Sequence, residues 1–320
     1  MMDQDLADIV GTPSAETDVD LPALAARLEA SGLFRVLRRL PPRSVIEEFD
    51  GSEVRRGVFV DVETTGLDPD RDEIIELAMV PFTYGLDGRI FCIHDAFQGF
   101  SQPKQPIPPE VTALTGITDE MVAGRTIDVA QAEEFVESAA LIVAHNAAFD
   151  RRFIEHLSPV FIGKPWACSM TQIDWTSAGF EGTKLAYLAM GAGFFYDRHR
   201  AVNDCLAAIE LLASRQQKSN TPFMAQLLER ARTPTWRIWA EGAPYEVKDV
   251  LKARGYRWNG EGKPRAWYTD VDDHARKSEL DFLRAEIYRR EAAPSTTKIT
   301  AYERFSIRSS SIEPEPPLSR

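Results

Sequence analysis

Two carboxylates stand two positions apart in a run that otherwise reads as a buried strand: "FVDVETTGL", Phe59 to Leu67, carries Asp61 and Glu63. Strand side chains alternate between faces, so both acids point to one side while Val60 and Val62 point to the other. Burying two anions together is costly unless cations or strong hydrogen bonds offset it, which makes the pair a ligand pair. Two more acids fall at element junctions, Asp150 after the apolar run in "VAHNAAFD" and Asp204 in "HRAVND", where a helix begins. His199 lies five residues before Asp204. Within one regular helix the two would be about 140° apart, so their convergence requires His199 on the loop entering the helix. Four hard oxygen ligands with one imidazole suit magnesium or manganese rather than zinc. Four acids exceed the need of one ion and suit a pair about 3.5 to 4 Å apart, the arrangement of in-line displacement at phosphorus. His199 is the candidate general base, because histidine as a type titrates near neutral pH. Taken singly, each residue also has a plainer reading: an exposed acidic strand face, a helix cap, a solvated helix acid, a surface histidine. Their order along the chain is what favours a site.

Such a site needs a scaffold, and from Gly57 to about Ser214 the pattern is α/β. "GVFVDVETTGL", "EIIELAMVPFTY" and "GRIFCIHDAFQ" are three β-rich runs, the last two joined by the turn-like "GLDG" as an antiparallel hairpin. Helix and strand then alternate through "TIDVAQAEEFVES", "ALIVAHN", "AAFDRRFIEHL", "KPWACSMTQIDW" and "KLAYLAMGAG" to the helix "RAVNDCLAAIELLASR". A hairpin feeding such units implies a mixed sheet flanked by helices. Around this domain the expected organisation is a flexible lead at 1–20 and a helical extension at 21–56, in which Leu24, Leu28, Leu33 and Leu37 recur near helical spacing. A linker is expected at 216–232, a Trp-rich module at 233–291 and a disordered tail at 292–320.

The whole chain of 320 residues has a net charge of -12 and a pI near 5.0. That excludes a general polyanion binder, yet residues 230–290 hold 14 Lys and Arg against 10 Asp and Glu. No apolar run reaches the roughly 20 residues of a membrane helix, so a cytoplasmic protein is expected. Cys92, Cys168 and Cys205 are scattered, with no spacing for a disulfide framework or structural zinc.

"FVDVETTGL", "VAHNAAFD" and "HRAVND" resemble, in order and spacing, the three motifs of the DEDDh 3'-5' exonuclease family, which includes epsilon-like and RNase T-like members, and "IPPEVTALTGIT" resembles its epsilon-like branch. The resemblance covers about half the chain. It implies an RNase H-like fold with a mixed five-stranded sheet. It implies metal binding by Asp61, Glu63, Asp150 and Asp204 to two Mg2+ or Mn2+, with His199 deprotonating the attacking water. It further implies a 3'-terminal nucleotide held against Thr64, Thr65, Gly66 and Leu67 and release of nucleoside 5'-monophosphates. His145 and Asn146 are expected to order the loop before Asp150, a direct substrate role being the lesser reading; Phe149 stacks on a base or packs in the core. The expected substrate is a single-stranded DNA 3' end, in proofreading or repair and with a polymerase or repair partner. Trimming of RNA ends and a catalytically silent nucleic-acid-binding scaffold are the alternatives. For the Trp-rich segment, core formation and stacking on single-stranded bases both stand.

Overall fold

The computed structural model describes residues 20–260 and 263–310, and the chain divides into two compact units, 1–38 and 39–320. In the first, α1 (Leu21–Ala30) starts at Asp20, whose carboxylate accepts the Ala23 N–H. It ends short of the expected reach to Leu37, where Gly32 takes a left-handed φ of 71°. None of its residues is buried. The flexible lead expected at 1–20 lies, apart from Asp20, outside the described residues.

The second unit is built on β1 (Val54–Thr64). It pairs antiparallel with β2 (Ile74–Gly85), which in turn carries β3 (Ile90–Ile93) and β4 (Phe97–Phe100). On its other side β1 pairs parallel with β5 (Leu141–Ala144), but only through Gly57, Val58 and Phe59, and β5 pairs parallel with β6 (Trp166–Cys168). The order is β3-β2-β1-β5-β6 with β4 also on β2, a mixed sheet of RNase H-like type. It has six strands where five were expected, because the run after the hairpin turn breaks in two. Pro81 in β2 has no N–H for the ladder, and its carbonyl takes the His94 N–H at 2.8 Å. Between Phe82 opposite Ile93 and Met79 opposite Phe97, three residues of one chain face two of the other, and the strand bends.

Short helices α2 (Pro109–Thr115) and α3 (Asp119–Val122) close a small core around Ile75, Ile107 and Ile117. α4 (Val129–Glu137) and α5 (Ala147–Leu157) cover the face that presents Val58, Val60 and Val62. α6 (Leu185–Gly191) and α7 (Ala201–Ala213) cover the face that presents Phe59, Val80 and Phe82. The expected linker at 216–232 is instead largely a helix, α8 (Phe223–Arg232). Phe223, Met224, Leu227, Leu228 and Ala231 form a helical stripe buried in the same core as α7.

The Trp-rich segment forms β7 (Thr235–Ala240), α9 (Lys248–Ala253), β8 (Arg257–Trp258), β9 (Trp267–Asp272) and α10 (Asp273–Phe282). The tail expected to be disordered from Ala292 is corrected for residues up to 310: β10 (Thr296–Ile299) completes an antiparallel sheet of order β8-β9-β7-β10. Beyond it the chain returns to α5. The fully buried Arg151 gives its guanidinium protons to the carbonyls of Tyr302 at 2.6 Å and Arg304 at 2.7 Å, and pairs with Glu155 at 2.7 Å. Residues 311–320 lie outside the described residues. Among the described residues no helix is long and apolar enough to cross a membrane.

Candidate active site

The site forms where β1 runs past its parallel partner. Beyond Phe59 the strand keeps only β2 beside it, and the edge left open is filled by α5, which starts at Ala147 directly after β5. Asp150, in the first turn of α5 and only 3% exposed, accepts the Val62 N–H at 3.3 Å through Oδ1. From the opposite face α7 brings Asp204. Ala201, Cys205, Ala208 and Leu212 seat that helix on the sheet at alternating spacings of four and three residues. The carboxylate oxygens of Asp61, Glu63 and Asp204 lie within 4.8 Å of one another. His199 stands in the loop before α7, as its convergence with Asp204 requires, in a left-handed conformation with φ 60°.

Gathering these acids perturbs all of them. Burial, and then the charges of Asp150, Asp204, Glu63 and Glu76, hold the Asp61 carboxyl well above the usual carboxylate range. Burial, and then Asp204, Glu76 and Asp150, push Glu63 up to about 8, with Arg200 opposing. Burial raises Asp150 to about 7 against the hydrogen bonds from its own and the Val62 N–H. Burial raises Asp204 too, opposed by the Tyr196 hydroxyl and by His199. A set of hard oxygen donors that repel one another this strongly is a cation-binding set, and the triad fits a divalent ion.

Three neighbours escaped the sequence reading. Glu76, fully buried on β2 and opposite Glu63 in register, accepts Gln98 Nε2–H at 2.5 Å and the Ala201 N–H at 3.4 Å, and lies 3.8 Å from the Arg200 guanidinium. Tyr196 donates its hydroxyl to Asp204 Oδ1 at 2.8 Å, and the Arg200 N–H reaches Asp204 Oδ2 at 3.2 Å. The one available signal was Glu76 itself, an acid inside the apolar run "IIELAMV".

At the lip, the buried Thr64 donates its hydroxyl to the Gly66 carbonyl, and Thr65 Oγ1 donates to Asp72 and accepts the Glu73 N–H. A Cβ at Gly66 would collide with the Asp72 carboxylate. Leu67, by contrast, is 84% exposed. His145 is ordered by Nε2–H to the Thr183 carbonyl at 2.7 Å, which leaves Nδ1 to accept the Ser169 hydroxyl at 2.9 Å. Burial pushes its pKa down to about 4. Asn146 is exposed and its side chain does not cap α5. Phe149 packs its ring 4.9 Å from Phe153, partly inside the core.

Residues 58–212 match the family model described as Exonuclease. The chain is 38% identical over 174 residues to the DNA polymerase III PolC-type of Clostridium perfringens, covering 52% of this chain and 11% of that protein. It is 32% identical over 175 residues to the 3'-5' exonuclease DinG of Bacillus subtilis, covering 51% of this chain and 18% of that one. It thus spans under a fifth of either relative. Among solved structures it is similar to E. coli Exonuclease I in complex with a dA16 oligonucleotide, with 14% identity, a TM-score of 0.46 and coverage of 72% of this chain and 71% of that one.

Proposed function

We propose that the protein is a metal-dependent 3'-5' exonuclease that releases nucleoside 5'-monophosphates from single-stranded DNA 3' ends. The observation that carries this is the convergence of Asp61, Glu63 and Asp204 on one point, with Asp150 beside them, inside the segment that matches the Exonuclease family model. Asp61, Glu63, Asp150 and Asp204 would hold two Mg2+ or Mn2+ ions. The chemistry such ions supply is activation of a water and neutralisation of the charge that builds at phosphorus. His199 takes the water's proton, since it stands in the loop that leads into α7 and Asp204 at the cleft. Tyr196, held as a neutral phenol by burial and by Asp204, fixes that carboxylate's orientation. Thr64, Thr65 and Gly66 build the rigid lip on which Leu67 is offered to the terminal base. His145 and Asn146 shape the loop entering α5, and the outer edge of Phe149 adds an apolar contact for the strand.

A role in replication or repair, as a proofreading or end-trimming activity beside a polymerase or repair protein, is the setting we infer from the DNA polymerase III and DinG exonuclease relatives. The test is hydrolysis of matched DNA and RNA oligomers labelled at the 5' end, with Mg2+, with Mn2+ and with chelator. A one-nucleotide ladder on DNA that chelator abolishes is the expected result. A ladder on RNA alone would move the assignment to a ribonuclease, and no metal-dependent ladder on either would overturn it.

A further inference from the structure

The C-terminal module carries a group of cations and aromatic rings that the exonuclease reading leaves unused. Lys248 Nζ lies 3.9 Å from the centroid of Tyr245, a ring 75% exposed. Lys252, one helical turn along α9 on the same side, lies 5.9 Å from the centroid of Trp267. Trp267 meets Trp258 edge to face at 5.5 Å, and Trp258 is 50% exposed. Tyr245 touches Lys248, and Lys252 connects through Trp267 to Trp258, the two lysines being one helical turn apart.

The charge pattern of the module sharpens this. Half of its arginines are matched within the fold: Arg230 with Asp272, Arg237 and Arg257 with Asp270, Arg254 with Glu279 and Arg284 with Asp281. Among the described residues neither Lys248 nor Lys252 has a carboxylate within ion-pair distance: Lys248 Nζ donates to the Tyr245 hydroxyl at 2.5 Å, and Lys252 stands over the Trp267 ring. The acids nearest in sequence, Glu246 and Asp249, are turned away by helical geometry, Asp249 by about 100° from Lys248. The core of the module does not need Trp258, since Ile238, Ala240, Leu251, Tyr256, Leu283 and Ile287 fill it.

We propose that this surface binds single-stranded nucleic acid, with bases stacking on Trp258 and Tyr245 and phosphates meeting Lys248 and Lys252. Exposed rings offer a π-face that any base can use, and lysines without a carboxylate partner beside them match a repeating anionic backbone. Only its coupling to turnover rests on the exonuclease reading; binding itself does not.

The test uses the full chain in chelator, so that no strand is degraded. Fluorescence anisotropy is followed with labelled oligothymidylate and oligouridylate of roughly 20 nucleotides, long enough to cover one such groove. Trp258→Ala should weaken binding at least about fivefold, the low end of one stacked base. The Lys248→Gln, Lys252→Gln double variant should weaken it too, and flatten the salt dependence by about 1.4 in slope for two phosphate contacts. Loss on the DNA alone or on both oligomers supports the proposal and tells which strand is read. With Mn2+ restored, hydrolysis of a dinucleotide, too short to reach the module, should be unchanged while KM for the long strand rises. Unchanged affinity in both variants overturns the proposal, as does an equal loss of dinucleotide hydrolysis, which would trace the effect to the fold. A wild-type chain that binds but does not hydrolyse would sink the exonuclease reading and leave this one standing.

Discussion

At the scale of single residues, the acids of the cleft trade stability for chemistry. Asp61 is buried beside four other carboxylates, so replacing it with a neutral side chain relieves the fold while removing a metal ligand. Asp61→Asn is expected to abolish nucleotide release and to raise the melting temperature of the metal-free protein; a variant as active as wild type would refute the ligand role. Glu76 makes a different prediction, because its carboxylate lies between the catalytic strands and the loop that carries His199. Glu76→Gln keeps an acceptor for the Ala201 N–H and should retain most activity, whereas Glu76→Ala opens a buried void and loses that contact. The alanine variant should lose at least about tenfold in kcat with KM little changed, and the contrast between the two variants separates positioning from mere presence of charge.

At the scale of elements, what could be read from the sequence was what obeyed a local rule. The period of two in "FVDVE" placed Asp61 and Glu63 on one face, and the "YDR" loop left room for His199 before α7, as the structure has it. What could not be read depended on distant partners. Pro81 splits a strand only because β2 has a neighbour on that side. Glu76 reads as an oddity in a buried run until the first turn of α7 lies against it. The stretch after Ala292, rich in Ser and Pro, reads as a tail because a strand of four residues carries little pattern. Residues 296–304 of it are ordered by β7 on one side and by Arg151, some 150 residues earlier, on the other. That last contact is testable. Arg151→Met would strand Glu155 without its buried counter-charge and leave several carbonyls short of a donor. The expected loss is about 3 to 5 kcal/mol in urea unfolding, with deletion of residues 300–320 destabilising in the same sense.

At the scale of the whole molecule, the site should make stability depend on pH and metal together. Glu63 and Asp150 are raised to about 8 and about 7, and Asp61 further, while in the unfolded chain carboxylates titrate near 4. Between those limits the metal-free native state holds protons that the unfolded state has released, so its stability falls as pH rises through that window. His145 acts in the opposite sense, since its depressed pKa of about 4 means the native state resists a proton that the unfolded histidine accepts below about 6.5. From about pH 6.5 to about pH 8 the acids therefore dominate. In chelator the melting temperature should drop across that interval, by about 2 to 4 °C for each kcal/mol of linkage. Adding Mn2+ or Mg2+ should raise it at both pH values and more at the higher one, because the ions bind the deprotonated carboxylates and displace fewer protons there. The Asp61→Asn variant should show a shallower pH dependence in chelator and a smaller response to metal. Scanning calorimetry on the two proteins at both pH values, with and without metal, measures all of these; a metal-free wild type that becomes more stable toward pH 8 would show that these carboxylates do not share one cleft.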